Sequence, residues 1–234
     1  MKLKKIASLM LAGVMAASML AGCQNTSVNP DPTPNPDPTP VTGYSAKLQS
    51  ELSAIAADHI TFSDSNDLNS ALEYAVGNVG NNAITGGFLA NMMDGKVKEV
   101  KHDNATAFNL VRTSLRDALD VKFLDEKLDE QIVRDMSPSN EKDWANYYKK
   151  NDVNNVILYV VDGGVDLNNA MDQIAGFIGD ELEQLDDDFK AVGDDSDVNY
   201  NYTGSVATCT KTYEAGHGMS VHFIAVELVR HIGK

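Results

Sequence analysis

The sequence VNYNYTGSVATCTKTYEAGHGMSVHFIAVELVR occupies residues 198–230 and contains two β-rich runs. The runs cover 198–213 and 219–230 and are separated by the glycine-containing segment 214–218. Two such runs across a short loop predict an antiparallel hairpin. Within the second run, residues 223–226 read FIAV without a polar break, which is typical of a strand covered on both faces. We therefore expect the last strand to be central in a sheet.

Upstream of this hairpin, residues 156–161 read VILYVV and predict another strand, which ends at the turn Asp162-Gly163-Gly164. Asp166 then stands where the N-cap of a helix is expected. The apolar residues that follow step by threes and fours from Leu167 to Val192, which predicts one long amphipathic helix. The C-terminal half is therefore expected to follow the order β-α-β-β.

The half that precedes it is expected to be mostly helical, because its apolar residues recur at helical spacing. Helices that are segregated from strands in this way are typical of an α+β domain. Residues 43–234 are few enough for one hydrophobic core, so we expect a single domain. The helical series on which this expectation depends are Leu48, Leu52 and Ile55, then Leu68, Leu72 and Val79, then Phe108, Val111 and Leu115.

Residues 23–42 precede this domain and differ from it in composition. The hexapeptide NPDPTP occurs at 29–34 and again, unchanged, at 35–40, so six of the seven prolines of the chain lie here. Alternating proline fixes φ and removes N–H donors, which favours polyproline II geometry. At ~3.1 Å per residue, this segment is a tether that can hold the domain up to about 60 Å from its point of attachment.

The first 22 residues have the features of a secretory signal. Three lysines within the first five residues are followed by a run of apolar or small residues from Ile6 to Leu20. This run is shorter than the ~20 residues that a membrane-spanning helix needs. It closes with the tetrapeptide Leu20-Ala21-Gly22-Cys23.

That tetrapeptide resembles the lipobox of bacterial prolipoproteins. The resemblance implies that the signal peptide, residues 1–22, is removed by cleavage between Gly22 and Cys23. It also implies that Cys23 then carries a diacylglycerol thioether, which would anchor the protein to the cell membrane on its extracytoplasmic face. Residues 43–234 resemble no family whose motifs can be named.

The chain is strongly acidic, with 34 Asp and Glu residues against 19 Lys and Arg residues. Nucleic acid binding requires clustered basic side chains, so nucleic acid is excluded as a partner. The same charge opposes adhesion to anionic lipid headgroups, so membrane attachment is expected to depend on the acyl chains of Cys23.

Four residues near the C-terminus are the best candidates for chemistry: Cys209, Glu214, His217 and His222. Cysteine and histidine can form a nucleophile and its base, and the two histidines with Glu214 can bind zinc. Two observations argue against both hypotheses. Cys209 and His222 lie inside predicted strands, and the four residues match no known catalytic or zinc-binding spacing. We therefore expect a buried cysteine and a hydrogen-bonded histidine, with no catalytic residue, metal or cofactor.

Tyr200 and Tyr202 are candidates for ligand binding together with His217. The two tyrosines alternate along a predicted strand, so their rings lie on one face of it. Rings flanked by amides can stack on the sugar rings of a cell-wall glycan, or they can pack against a helix of the same domain. The sequence leaves both alternatives open.

These observations favour a membrane-anchored extracytoplasmic lipoprotein that acts as a non-catalytic binding or presentation module. Its partner would be a cell-surface protein or a glycan. One alternative is a cell-envelope hydrolase that uses Cys209, His217 and His222. The other is a structural subunit of a surface complex.

Overall fold

The computed structural model describes residues 43–80, 94–101, 107–119, 122–123, 132, 136, 152–190, 197–213 and 218–233. All of these residues lie within one compact unit, Asp37–Lys234. The predicted α+β class is confirmed, because helices pack on both faces of a mixed sheet. The signal peptide, Cys23 and the tether lie outside the described residues, and so do Glu214 and His217.

The described elements follow one another in a mixed order along the chain. The helices are α1 (Tyr44–Glu51), α2 (Ala54–His59), α3 (Asn66–Gly77), α4 (Ala107–Leu119) and α5 (Leu167–Leu182). The strands are β1 (Ile60–Phe62), β2 (Lys98–Glu99), β3 (Lys122–Phe123), β4 (Val153–Asp162), β5 (Asp188–Lys190), β6 (Asp197–Tyr213) and β7 (Met219–Gly233).

Within the part of the chain that the structure describes, the strands form one seven-stranded sheet. Its main order is β1-β6-β7-β4-β2, with β5 also beside β6 and β3 also beside β4. The predicted antiparallel hairpin is the pair β6–β7, and β7 lies between β6 and β4, so its central position is confirmed. Strand β1 runs parallel to β6, and β3 runs parallel to β4.

The sheet has two covered faces, because successive residues of a strand point to opposite sides. Helices α1, α2 and α5 pack on the side that carries Ile224 and Val226, which we call the α5 face. Helices α3 and α4 pack on the side that carries Phe223 and Ala225, which we call the α3 face. The FIAV run is therefore apolar throughout because both of its sides are buried.

Helix α5 begins as predicted but ends earlier than predicted. The Asp166 side chain accepts a hydrogen bond of 2.7 Å from the N–H of Asn168 and caps the helix. The helix ends at Leu182, and the predicted continuation to Val192 is wrong. Leu185 is still buried in the same core, which explains why the helical spacing of apolar residues continues beyond the helix. The chain then continues into strand β5, which pairs with β6.

The short strands β1 and β3 were not expected from the sequence. Each has only two or three residues and lies in a region dominated by helical spacing.

Among the described residues, no helix is both long enough and apolar enough to span a bilayer.

Candidate functional site

Cys209 and His222 lie on opposite faces of the sheet. Cys209 is directly opposite Phe223 in the β6–β7 ladder, which places the thiol on the α3 face. His222 is directly opposite Thr210 and lies on the α5 face. The sheet therefore separates the two side chains, and a Cys209–His222 nucleophile–base pair is wrong. His217, the third member of the proposed hydrolase set, lies outside the described residues.

The Cys209 thiol is buried, with 2 % of the residue exposed. Burial, with a smaller contribution from Glu73, raises its pKa to about 12. A reactive cysteine needs the opposite shift, because the thiolate is the nucleophile. Lys211 lies two residues further along the same face, but its ammonium donates to the carbonyl oxygens of Val76 and Val79 at the end of α3. Cys209 is therefore a core residue.

We expect the Cys209 thiol to be unreactive in the native protein. At pH 8, iodoacetamide should leave Cys209 unmodified over a period in which the protein unfolded in guanidinium chloride is labelled completely. The reason is that both burial and the raised pKa suppress the thiolate. Mass mapping of the peptide that contains Cys209 gives the labelled fraction, and equal labelling in the native and unfolded states would contradict the prediction.

His222 is held by hydrogen bonds on the α5 face. Its Nδ1 lies 2.6 Å from the Thr210 hydroxyl, and the ring also contacts the backbone of Val165 and Gly163. Burial lowers its pKa, which keeps the ring neutral. This is the hydrogen-bonded strand histidine that the sequence analysis gave as the alternative to catalysis.

Tyr200 and Tyr202 both lie on the α5 face, with 5 % and 4 % of their surface exposed. The Tyr202 hydroxyl donates to the carbonyl oxygen of Asp186 at 2.7 Å, and the Arg230 guanidinium carbon lies 4.5 Å from the Tyr200 ring centroid. The packing alternative is therefore correct. Neither ring face is open to a sugar, which argues against the two tyrosines as ligand-binding residues.

A second group of polar side chains lies on the α3 face, where β6 and β7 extend away from the apolar core. We call it the polar strip; it consists of Asn154, Thr203, Ser205, Glu227 and His231, together with Asp152 just before β4. The Glu227 carboxylate accepts from Asn154 Nδ2 at 2.8 Å and from the Ser205 hydroxyl at 2.9 Å. The Asn154 Oδ1 atom is buried and has no hydrogen-bond partner among the described residues.

Three members of the polar strip are connected by hydrogen bonds. Thr203 Oγ1 lies 3.0 Å from His231 Nε2, and His231 Nδ1 lies 3.3 Å from Asp152 Oδ2. The side chains of His231 and Asp152 are 42 % and 61 % exposed, so they are open to a ligand from solution. The result is a solvent-accessible hydroxyl–imidazole–carboxylate line.

The carboxylate at the end of this line is held in place by the backbone. Asp152 Oδ1 accepts a hydrogen bond of 3.1 Å from the N–H of Ile232, the residue after His231. This bond, with the smaller contribution of His231, holds the pKa of the Asp152 carboxyl below its usual value. Asp152 is therefore an anion at neutral pH and can orient the imidazole.

Among the described residues, no three or more His, Cys, Asp or Glu side chains are placed to hold a metal ion.

Comparisons with protein-family models, curated proteins and solved structures found no match. The function therefore has to be argued from the residues of this chain.

The sequence analysis missed the polar strip because its members are far apart in the chain. Thr203 and His231 are separated by 28 residues, and His231 and Asp152 by 79. Only the pairing of β4, β6 and β7 brings them together. The one available signal was the hairpin register, which places Thr203 and His231 on the same face once Cys209 is paired with Phe223.

Proposed function

We propose that the protein is a lipid-anchored extracytoplasmic module that holds an α+β domain away from the membrane and binds a cell-surface ligand there. The observation that carries the anchoring is Leu20-Ala21-Gly22-Cys23 at the end of a basic and apolar leader. The repeated NPDPTP segment supports presentation at a distance. Cys209 is buried and His222 lies on the opposite face of the sheet, which speaks against a function based on these two residues together.

The polar strip is the surface that we assign to ligand binding. It offers carboxylate, amide, hydroxyl and imidazole groups side by side on rigid strands. Groups of this kind exchange hydrogen bonds with the hydroxyls of a sugar, so a glycan of the cell envelope fits the strip better than an apolar ligand. A structural subunit remains the competing proposal, and it would be favoured if one envelope protein co-purified in a fixed stoichiometric ratio.

Replacement of Cys23 by serine is expected to abolish lipid attachment. The wild-type chain produced in a bacterial host should gain the mass of the lipid and partition into the detergent phase of Triton X-114. The Cys23→Ser variant should do neither, because serine supplies no thiol for the thioether. The matched control is Cys209→Ser, which changes the same chemical group at a buried site and should leave lipidation unchanged. Equal partitioning of Cys23→Ser and wild type would contradict the anchor.

Ligand binding can be tested with a defined probe. Solubilised cell-wall glycan from the host should be retained by the immobilised full chain and should be lost on Glu227→Ala, because this change removes the acceptor that organises Asn154 and Ser205. Glu183→Ala is the control, since Glu183 lies at the end of α5 and contacts Ser53 instead of the strip. Retention that does not differ between the two variants would contradict the assignment of the strip.

A further inference from the structure

We propose that Thr203 and His231, with Asp152 as a positioning residue, form an acyl-transfer site that hydrolyses small acyl esters. This proposal goes beyond the binding role, because it makes one end of the polar strip reactive. The substrate class is an ester of a short carboxylic acid, such as an O-acetyl group on a hydroxylated ligand.

The first support is the order of the contacts, which run from Thr203 through His231 to Asp152. A hydroxyl becomes a nucleophile when an imidazole nitrogen is within hydrogen-bond distance and can take its proton. Thr203 Oγ1 is 3.0 Å from His231 Nε2, which fits this role. The other ring nitrogen, Nδ1, faces the Asp152 carboxylate at 3.3 Å, which fixes the tautomer that leaves Nε2 free to accept.

The second support is rigidity. Thr203 lies on β6 and His231 on the adjacent strand β7, in a continuous antiparallel ladder. Asp152 precedes β4 and is bonded to the N–H of Ile232, so it is fixed to the same strand as the imidazole that it orients. Sites on strands hold their geometry better than sites on loops.

The third support is a comparison within the same chain. Thr210 and His222 also form a hydroxyl–imidazole contact, at 2.6 Å, on the other face of the sheet. That ring contacts backbone carbonyls, and burial makes it hard to protonate. The His231 ring is instead hydrogen-bonded to the Asp152 carboxylate and is exposed to solvent, whereas the Asp162 carboxylate affects His222 through its charge. The His231 pair therefore combines a base, a carboxylate hydrogen-bonded to that base and access for a substrate.

The reaction balances without a metal or cofactor. Thr203 Oγ1 attacks the ester carbonyl carbon while its proton passes to His231 Nε2. The bond between the carbonyl carbon and the alcohol oxygen then breaks, and the alcohol leaves with the proton from Nε2. Water next attacks the acyl-threonine ester, again through His231, and releases the carboxylic acid. Asn201 is directly opposite His231 and exposed on the same face, so its amide is the candidate donor to the oxyanion.

The test uses p-nitrophenyl acetate as the probe and the purified full chain. We expect Thr203→Ala and His231→Gln each to lower kcat/KM by about 100-fold, while Thr203→Ser stays within about threefold of wild type. Thr210→Ala is the matched control and should leave the rate unchanged. Quenching in acid during turnover should trap one acetyl group on the peptide that contains Thr203.

The role of Asp152 needs a measurement that a purely structural role would not change. Asp152→Asn should lower kcat by about 100-fold with KM almost unchanged, because asparagine still accepts from Ile232 but no longer stabilises the imidazolium. Hydrolysis that survives Thr203→Ala, or acetyl groups found only on other residues, would overturn the proposal. Glycan retention in a protein without esterase activity would also overturn it, while leaving the proposed binding function intact.

Discussion

Replacement of Arg230 by alanine is expected to lower the free energy of unfolding by about 3 to 5 kcal/mol. Arg230 is the largest side chain in the described structure that is fully buried, with 0 % of its surface exposed. Its guanidinium Nη1 donates to the carbonyl oxygen of Met136 at 2.5 Å and its Cζ atom lies 4.5 Å from the centre of the Tyr200 ring. Alanine would remove both contacts and leave a cavity on the α5 face.

The reason for so large an effect is that the neighbours of Arg230 are themselves buried. Met136 is 0 % exposed, so its carbonyl oxygen has no water to replace the lost donor. The Tyr200 ring would lose a cation–π contact in a desolvated site. Burial lowers the pKa of Arg230, but a guanidinium stays charged at neutral pH. The charge is therefore present in the core, where the nearby Asp152 carboxylate also stabilises it.

Two further variants complete the test: one separates the effect of charge from that of volume, and the other is a surface control. Arg230→Met keeps most of the volume without the charge and should recover at least about half of the loss, since apolar replacements of buried charges are often tolerated. Arg116→Ala is the matched control; Arg116 lies on α4 with an exposed ion pair to Asp117, so the change should stay below about 0.5 kcal/mol. Urea unfolding followed by circular dichroism measures all three. Equal midpoints for Arg230→Ala and Arg116→Ala would contradict the assigned role.

The C-terminal half could be predicted from the sequence because its signals are local. The FIAV run and the two β-rich segments identify β6, β7 and the central position of β7 without any knowledge of distant residues. The end of α5 could not be predicted in this way. Leu185 continues the apolar spacing, but the chain pairs with β6 from Asp188 onward, and that pairing depends on the tertiary structure.

The site was harder to predict than the fold because it depends on register. A shift of one residue in the β6–β7 hairpin would move Cys209 to the face of His222 and Thr203 to the opposite face from His231. The sequence shows that Cys209 and His222 are near each other along a hairpin, but only the observed pairing of Cys209 with Phe223 shows that the sheet separates them. Thr203, His231 and Asp152 depend on the same register.

The second large effect is expected from Gly204→Ala, which should lower the free energy of unfolding by about 3 kcal/mol. Gly204 on β6 is directly opposite Phe62 on β1, and the Phe62 ring covers it. A methyl group at Gly204 would lie 2.4 Å from Phe62 Cε1 and 2.6 Å from Phe62 Cδ1, which is closer than two non-bonded carbon atoms can approach. Phe62 is only 6 % exposed, so the surrounding core restricts the movement of its ring.

This substitution tests the unexpected parallel pairing of β1 with β6 because the clash requires both residues. Phe62→Ala in the same chain should relieve it, so the double variant should lose less stability than the sum of the two single variants, by about 1 to 3 kcal/mol. Gly176→Ala is the control; Gly176 lies within α5 with nothing within 4 Å of an added methyl group. That change should raise the free energy of unfolding by about 0.5 to 1 kcal/mol, because alanine favours the helix. Additive effects of Gly204→Ala and Phe62→Ala would mean that the two residues are not in contact, and β1 would then not lie beside β6.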